Sequence, residues 1–258
     1  MASIKDDRGY NQGYKATPAL EIRRNRRCDS IIAEINLESN SDAKTILELG
    51  CGTGQLSYLL ATKTKAKVIG VDICRDFIEV AKKNYKKDIK NLDYFTLDFN
   101  RPEDLFLKYK IKNVDYVVGD GILHHLYYNM KKSLSAINSL LSENGKMIFW
   151  EPNVAHPYCF LIFNFSLFRK MASLEPAEKA FSKKFIMKNM RSANFKHALV
   201  SYRDCLLPNT PTPLIKPLLK FEKIIDRIPL LNPLLNMVFS QSMFIVGKKK
   251  GIEKIESI

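Results

Sequence analysis

The sequence predicts an α/β fold: a mostly parallel sheet of seven strands, helices on both faces, and a helical lid inserted in the C-terminal half. Short apolar strands alternate with amphipathic helices between residues 45 and 150, an order typical of parallel sheets. A glycine-rich turn, Gly50 to Gly54, joins the first strand to the helix that follows it. Apolar residues make up 46% of the chain and charged residues 26%, a composition that excludes wholesale disorder and fibrous classes.

Each element has its own signal in the sequence. Runs of β-branched and aromatic residues predict the strands, which cover residues 45–49, 67–71, 92–97, 114–119, 146–150, 197–207 and 242–246. Apolar residues at helical spacing predict helices over residues 18–36, 55–62, 75–86, 129–141 and 182–193. Ser182 is the predicted cap of the last helix, and Asn144–Gly145 stops the helix before it.

Three parts follow along the chain: an arm and first helix over residues 1–40, a core over 41–152, and a C-terminal half over 153–258. Two apolar insertions, 157–181 and 208–241, interrupt the C-terminal half. The second is too long for a hairpin connection and is rich in proline. We expect both insertions to cover a cleft at the carboxyl ends of the strands, where open α/β sheets bind ligands.

The charge balance and the cysteines bear on partners and compartment. Lys and Arg total 41 against 27 Asp and Glu, a net charge of +14 that favours contact with nucleic acid or anionic lipid. The basic run Arg23, Arg24, Arg26 and Arg27 is expected to be a solvated helix face or to steer an anionic substrate. Five scattered cysteines in no metal-binding pattern predict a reducing compartment and no metal site. With no leader or spanning segment apparent, we expect a cytoplasmic protein, with peripheral membrane contact as an open alternative.

One group of residues indicates a ligand-binding site. The segment 48–55, ELGCGTGQ, ends the first strand and opens a helix, and its glycines permit a tight turn close to a ligand. Asp72, at the end of the second strand, can accept hydrogen bonds from a ribose diol. Asp98 can accept from an adenine amine, with Phe99 as an apolar flank. Glu48 disfavours a pyrophosphate and suits a cationic ligand or a role in holding the loop. Together these residues predict a nucleoside site.

These residues, with the segment 120–126 (DGILHHL), resemble the class I S-adenosylmethionine-dependent methyltransferases, in particular the branch that acts on quinones, sterols and other small molecules. The resemblance covers roughly residues 44–151, and loosely the last two strands. It implies a Rossmann-like fold and S-adenosylmethionine as cofactor. The cofactor-binding residues that it implies are Tyr14, Glu48, Gly50, Cys51, Gly52, Gly54, Gln55, Asp72, Ile73, Asp98, Phe99 and Asp120.

Within this set Cys51 offers its backbone amide, and Tyr10 joins Tyr14 as a candidate to close over the cofactor. Since the methyl group of a sulfonium is already electrophilic, the protein mainly has to align donor and acceptor. A base is needed only where the acceptor loses a proton. The candidates for such a base near the predicted strand ends are His124, His125, Glu151 and His156, and the catalytic assignment goes to His125, Glu151 and His156. The alternative for the pair His124 and His125 is to support the loop or the cofactor.

The predicted function is methyl transfer to a small, apolar or lipid-like acceptor, oxygen being favoured and carbon next. One alternative is an RNA methyltransferase, which the +14 charge favours. Against it, strand four is not followed by the Asn-Pro-Pro-aromatic motif of enzymes that methylate base amines. The other alternative is an inert methyltransferase-like binding module, although an intact Glu48, glycine loop, Asp72 and Asp98 speak against it. The oligomeric state stays open.

Overall fold

The computed structural model describes residues 17–36, 44–87, 89–99, 107–111, 113–228 and 231–250. The strands are β1 Thr45–Leu49, β2 Lys67–Asp72, β3 Leu92–Thr96, β4 Val114–Asp120, β5 Leu141–Pro152, β6 Phe195–Arg203 and β7 Ser242–Lys249. The α-helices are α1 Pro18–Asn36, α2 Gln55–Lys63, α3 Arg75–Ala81, α4 Met130–Leu140, α5 Pro157–Asn164, α6 Ser166–Met171, α7 Lys183–Ser192, α8 Thr212–Asp226 and α9 Asn232–Phe239. A π-helical turn, Lys82–Lys86, extends α3, and a 3₁₀ helix, Leu123–Asn129, precedes α4.

The seven strands form one sheet in the order β3-β2-β1-β4-β5-β7-β6. Strand β7 runs opposite to the other six strands of the sheet, so the prediction of a mostly parallel sheet is confirmed. Strands β1, β2, β4, β5 and β6 end at one edge, called here the carboxyl edge, and β7 begins there opposite Pro152 and Arg203. The strand order reverses between β1 and β4, which opens a crevice at the carboxyl edge.

Two apolar clusters cover the two faces of the sheet, because successive strand residues point to opposite sides. On one face Leu47, Val117 and Phe149 pack with residues of α4 and α7. On the other face Ile46 and Val118 pack with residues of α1, α2 and α3. Fully burying one such aliphatic side chain contributes about 1.5–3 kcal/mol, so these clusters make the strand ends a fixed platform.

Two strand boundaries depart from the predictions by four residues or more. Strand β5 begins at Leu141 rather than at residue 146, because Leu141 already pairs with Val114. Strand β6 was expected to run to residue 207, and that expectation is wrong. It ends at Arg203 because Asp204 has a φ of +73° and its amide donates to the carboxylate of Glu222 instead of to β7.

Both predicted insertions contain helices. Helices α5 and α6 occupy the first, and α8 and α9 occupy the second. Within the described ranges, no helix combines the length and the apolar character needed to cross a bilayer.

Candidate functional site

The glycine loop between β1 and α2 adopts a conformation that other residues would strain. Gly50, Gly52 and Gly54 all have positive φ, of 66°, 53° and 88°. A Cβ on Gly54 would lie 2.6 Å from the hydroxyl of Tyr94 and 2.8 Å from Cβ of Ala81. The same Tyr94 hydroxyl donates to the carbonyl of Gly54 at 2.8 Å, which fixes the loop above β3. Both backbone conformation and space therefore require glycine at position 54.

Asp72 is held against this loop. One carboxylate oxygen accepts from the amide of Gly52 at 2.9 Å, and the other accepts from the amide of Cys74 at 2.9 Å. The carboxylate is half-buried, and as a hydrogen-bond acceptor it suits ligand hydroxyls. Ile73 follows it and is exposed. Asp98 and Phe99 lie half-buried just after β3, the strand next to β2.

Glu48 and its neighbours support the loop from below. Glu48 is buried and accepts a hydrogen bond from the hydroxyl of Ser57 on α2. Burial raises the pKa of Glu48 to about 8, and the charges of Asp120 and Asp72 add to that rise. The amide of Cys51 donates to the carbonyl of Val71, so it is engaged within the protein.

The side chains of Cys51 and Gln55 also lie at the glycine loop. Burial raises the pKa of the Cys51 thiol well above its ordinary value. Gln55 begins α2, and its side-chain oxygen accepts from the hydroxyl of Thr53 at 2.9 Å. Glu48, Cys51 and Gln55 thus all lie in or beside the glycine loop, but the amide of Cys51, which was expected to be offered to the cofactor, is bonded to Val71 instead.

Asp120, at the end of β4, meets an arginine of the basic run that was expected to be a solvated helix face or to steer an anionic substrate. Its carboxylate pairs with the guanidinium of Arg27 on α1. Arg23 and Arg27 are only 4% and 9% exposed, so the expectation of a solvated basic face is wrong for both. The spacing contains the signal, since residues 19, 23, 27, 31 and 35 recur every four positions and all five are buried.

Asp204 organises these arginines into an arginine cluster, made of Arg23, Arg26, Arg27 and Asp204. Its carboxylate accepts from Arg23 Nε at 3.1 Å, Arg27 Nε at 3.2 Å and Arg26 Nη1 at 3.5 Å. Burial and the neighbouring charge of Arg27 lower the pKa of Arg23 to about 10, so it stays charged at neutral pH. The cluster joins α1 to β4 and β6, and a cavity of about 720 Å³ opens beside it.

A carboxylate at the end of β5 anchors the next group. Gly121 turns the chain after β4 with a φ of +74°, which directs the following amides toward Glu151. The buried carboxylate of Glu151 accepts from the amides of Ile122 at 2.9 Å, Leu123 at 2.6 Å and His124 at 3.2 Å. It also lies 2.9 Å from Nδ1 of His124. Three amide donors stabilise the ionised carboxylate, which in turn fixes the imidazole.

His124 is buried between two carboxylates. Its Nε2 lies 3.8 Å from Glu178, which is too long for a hydrogen bond, and the ring of Phe163 meets it edge-on at 5.8 Å. Burial lowers the pKa of His124, but the hydrogen bond to Glu151 and the charges of Glu151 and Glu178 outweigh burial, so the pKa is raised. Glu178 belongs to the loop after α6, whose Lys179 amide donates to the carbonyl of His124 at 3.2 Å.

His125 lies on the other side of Glu178, with Nδ1 at 3.6 Å from its carboxylate. His124, His125 and Glu178 each offer one ligand atom, and these atoms lie within 4.8 Å of one another, so the three could hold a divalent cation. The sequence analysis missed Glu178, since it stands in an irregular loop with no periodic signal.

Three predicted residues remain, His156, Tyr10 and Tyr14. His156 precedes α5, and its Nδ1 has no hydrogen-bond partner within the described residues. Burial lowers the pKa of His156. Tyr10 and Tyr14 lie outside the described residues. The structure therefore brings together the glycine loop, Asp72 and Asp120 in one region, and His124, Glu151 and Glu178 in another, both at the carboxyl edge.

Comparison with known proteins identifies the family of the chain. Residues 40–202 match the family model described as a methyltransferase domain. An uncharacterized protein of Haemophilus influenzae is 31% identical over 115 residues, which cover 45% of this chain and 44% of that protein. The chain thus spans less than half the length of this curated relative.

Two solved structures share the fold at low sequence identity. A SAM-dependent methyltransferase from Archaeoglobus fulgidus is similar with a TM-score of 0.58 and 18% identity, over 88% of this chain and 94% of that one. The CMeT domain of the citrinin polyketide synthase is similar with a TM-score of 0.61 and 14% identity, over 92% and 55%. The predicted fold and the predicted cofactor, S-adenosylmethionine, are confirmed at the level of the family. The chain belongs to the methyltransferase domain family and has the fold of the class I S-adenosylmethionine-dependent methyltransferases.

Proposed function

We propose that this protein transfers a methyl group from S-adenosylmethionine to a small, apolar or lipid-like acceptor that loses a proton. A hydroxyl oxygen is the favoured acceptor atom, and an acidic carbon is next. One observation carries the proposal: a buried histidine and a buried carboxylate, His124 and Glu151, are 2.9 Å apart at the ends of β4 and β5. Such a pair is suited to remove a proton.

The described residues fit the cofactor. Asp72 and Asp98 are carboxylates, which suit ribose hydroxyls and an adenine amine, and the backbone near Asp120 would meet the amino group of the methionine part. Among the described residues, leaving out its two chain neighbours, an added Cβ at Gly121 would meet one atom within 4 Å, Cε1 of His124 at 3.6 Å, so these residues leave space beside the pair. The glycine loop and Asp72 would hold the nucleoside, with Asp98 and Phe99 at the adenine. When bound, the cofactor supplies an electrophilic methyl group.

The chain's own residues then determine the protonation state. The charge of Glu151 keeps the proton of neutral His124 on Nδ1, which leaves Nε2 as the basic nitrogen. When Nε2 takes a proton from the acceptor, Glu151 stabilises the imidazolium that forms, and its three amide donors prevent the carboxylate from turning away. General base catalysis of this kind contributes roughly 10²–10⁴-fold in rate. We assign the base to His124 rather than His125, because Nδ1 of His125 faces Glu178 and not Glu151.

The surroundings of His124 support an apolar acceptor. Phe163, on the inner side of α5, meets the imidazole edge-on, and Cys159 on the same helix is buried. Water is thereby kept from one side of the base, which favours a greasy acceptor over a polar one. The likeness to the CMeT domain of the citrinin polyketide synthase is in keeping with a small-molecule acceptor.

The test uses S-adenosylmethionine with a tritiated methyl group and three acceptor panels: hydroxylated and enolisable small molecules, total lipid extract, and bulk RNA. The variants are His124→Asn and Glu151→Gln, and the matched control is His197→Asn, an exposed histidine on β6. We expect label in the small-molecule or lipid panel. The rate should fall about 10²–10⁴-fold in His124→Asn, and the control should be unchanged.

Calorimetry on the same proteins separates catalysis from binding, and S-adenosylmethionine affinity in His124→Asn should stay within about threefold of wild type. Label that enters RNA and neither other panel would favour the RNA methyltransferase alternative and overturn the acceptor assignment. Label in no panel, with the cofactor bound, would favour the inert module. A His124→Asn variant that retains more than half the rate would overturn the base assignment.

A further inference from the structure

Exposed apolar side chains are concentrated in the two inserted segments. Of the 17 large apolar side chains that are exposed among the described residues, 13 lie on or beside α5, α6, α8 and α9. These 13 side chains are called here the apolar patch: Tyr158, Phe160, Leu161, Phe165, Leu167, Met171, Leu214, Phe221, Ile224, Ile228, Leu231, Leu234 and Phe239. A soluble protein seldom exposes so many apolar groups in a few segments unless they serve an interaction.

Helix α5 has apolar residues on all sides. Cys159 and Phe163 point inward, where they are buried, while Tyr158, Phe160 and Leu161 are exposed. The inward side of α5 already packs against the candidate site, because Phe163 contacts His124. The outward side therefore needs a different partner.

The two inserted segments leave the sheet at the same place. Asn153, just after β5, donates to the carbonyls of Met237 at 2.7 Å and Ser240 at 2.8 Å. Helices α8 and α9 are joined by the edge-on contact of Phe221 with Phe239 at 5.2 Å. Both parts of the apolar patch thus emerge at the carboxyl edge, which also holds His124 and Glu151.

Charge identifies the partner. On α8 and directly after it, four basic residues are exposed among the apolar residues: Lys216, Lys220, Lys223 and Arg227. Of the two acidic residues of α8, Glu222 is buried and pairs with Arg26, and Asp226 is exposed, so the exposed charge is mostly positive. Short amphipathic helices with exposed apolar and basic residues bind at the interface of anionic bilayers. RNA would instead need a basic groove interleaved with stacking aromatics, and aliphatic side chains make up more than half of the apolar patch.

We propose that the apolar patch and the basic residues of α8 seat the protein on the surface of an anionic lipid bilayer, with α5, α6, α8 and α9 in the interface. Resting on the proposed function, this seating gives a lipid-like acceptor a route to His124 from the lipid phase. The apolar residues insert between lipids, and the lysines contact the anionic headgroups.

Flotation with liposomes tests the seating directly. The wild-type protein is mixed with vesicles of phosphatidylcholine alone or with 30% phosphatidylglycerol, at 0.1 M and 0.5 M salt. One variant carries Leu167→Ser and Met171→Ser on α6, and a second carries Leu214→Ser and Ile224→Ser on α8. The matched control carries Leu107→Ser and Leu199→Ser, which are 60% and 55% exposed and lie outside the patch.

We expect the wild type and the control to float with anionic vesicles, and both patch variants to bind at least tenfold more weakly. Residual binding of the wild type at 0.5 M salt is expected, because apolar insertion is not screened. The absence of flotation would overturn the proposal. So would patch variants that bind as well as the control, or binding that is lost entirely at 0.5 M salt and displaced by RNA, which would favour an RNA partner.

S-adenosylmethionine affinity and thermal unfolding of each variant show whether it is folded. The outcome is independent of catalysis. Flotation without methyl transfer would contradict the proposed function and leave the membrane seating intact. Methyl transfer to soluble acceptors without flotation would contradict the seating and leave the proposed function intact.

Discussion

Replacing Asp204 with Asn tests whether the arginine cluster is a buried ionic network that holds α1 on the sheet. The change keeps size and shape, and Asn tolerates the positive φ of this position nearly as well as Asp does. It therefore removes one buried negative charge and little else. The consequence should appear in the free energy of unfolding.

The expected loss in the free energy of unfolding depends on which partners each arginine keeps in the variant. Arg27 still pairs with Asp120, and Arg26 still pairs with Glu222 at 2.6 Å. Arg23 loses its ionic partner and keeps the neutral oxygen of Gln241 at 2.5 Å. Removing one partner of a buried pair costs about 3–5 kcal/mol, and with only one arginine stranded we expect the lower end, about 3 kcal/mol.

Equilibrium urea unfolding measures this change, with the fluorescence of Trp150 as the probe. Trp150 is the only tryptophan of the chain, and the guanidinium of Arg27 lies 5.2 Å from its ring centre. The matched control is Asp29→Asn, which breaks an exposed ion pair with Lys63 and should cost under about 1 kcal/mol. An Asp204→Asn variant that is no less stable than this control would refute the account of the cluster.

Other predictions concern the glycine loop and the pair at β5. Gly54→Ala should lose S-adenosylmethionine binding and lower the melting temperature, because φ and Tyr94 both exclude a Cβ; calorimetry with normal affinity would contradict this. The pKa of Glu48 is about 8 in the folded protein, above its unfolded value of about 4.5, so the wild type loses stability as pH rises from about 4.5 to 8. Glu48→Gln should therefore become more stable relative to the wild type over that window, as measured by urea unfolding. A difference in the free energy of unfolding that stays constant with pH would be evidence against it. The rate of methyl transfer should rise with pH through a pKa above 6.5, because His124 must be neutral to accept a proton. Glu151→Gln should lower the midpoint of this pH profile. A midpoint that does not move would exclude His124 and Glu151 as the catalytic pair. Chelation with EDTA should leave the rate unchanged, because Nε2 of His124 takes the proton, whereas loss of rate with rescue by a divalent cation would assign His124, His125 and Glu178 to a metal.

Much of the fold was predictable because strand and helix signals are local. The bounds of α1 and β1 agree with the prediction to the residue, since apolar periodicity and a flanking turn define both. The glycine loop was predictable for the same reason. The end of β6 was not, because it depends on Glu222, 18 residues further on, which takes the amide of Asp204.

The partners of the site residues were harder to predict. Arg27 and Asp120 are 93 residues apart in the sequence, and no local sequence pattern predicts such a pairing. The buried stripe at four-residue spacing could have identified Arg23 and Arg27 as buried, but charge led to the opposite interpretation. The pairing of Glu151 with His124 rather than His125 depends on how the turn at Gly121 orients the 3₁₀ helix, which one-dimensional spacing does not specify.

The most direct test of the central claim is S-adenosylmethionine binding by calorimetry, with NAD as the competing cofactor. The protein is compared with Asp72→Ala and with the control Asp76→Ala, an exposed residue of α3. The account predicts micromolar binding of S-adenosylmethionine and none of NAD, with binding abolished in Asp72→Ala and kept in Asp76→Ala. Binding of NAD, or full affinity for S-adenosylmethionine without the Asp72 carboxylate, would contradict it.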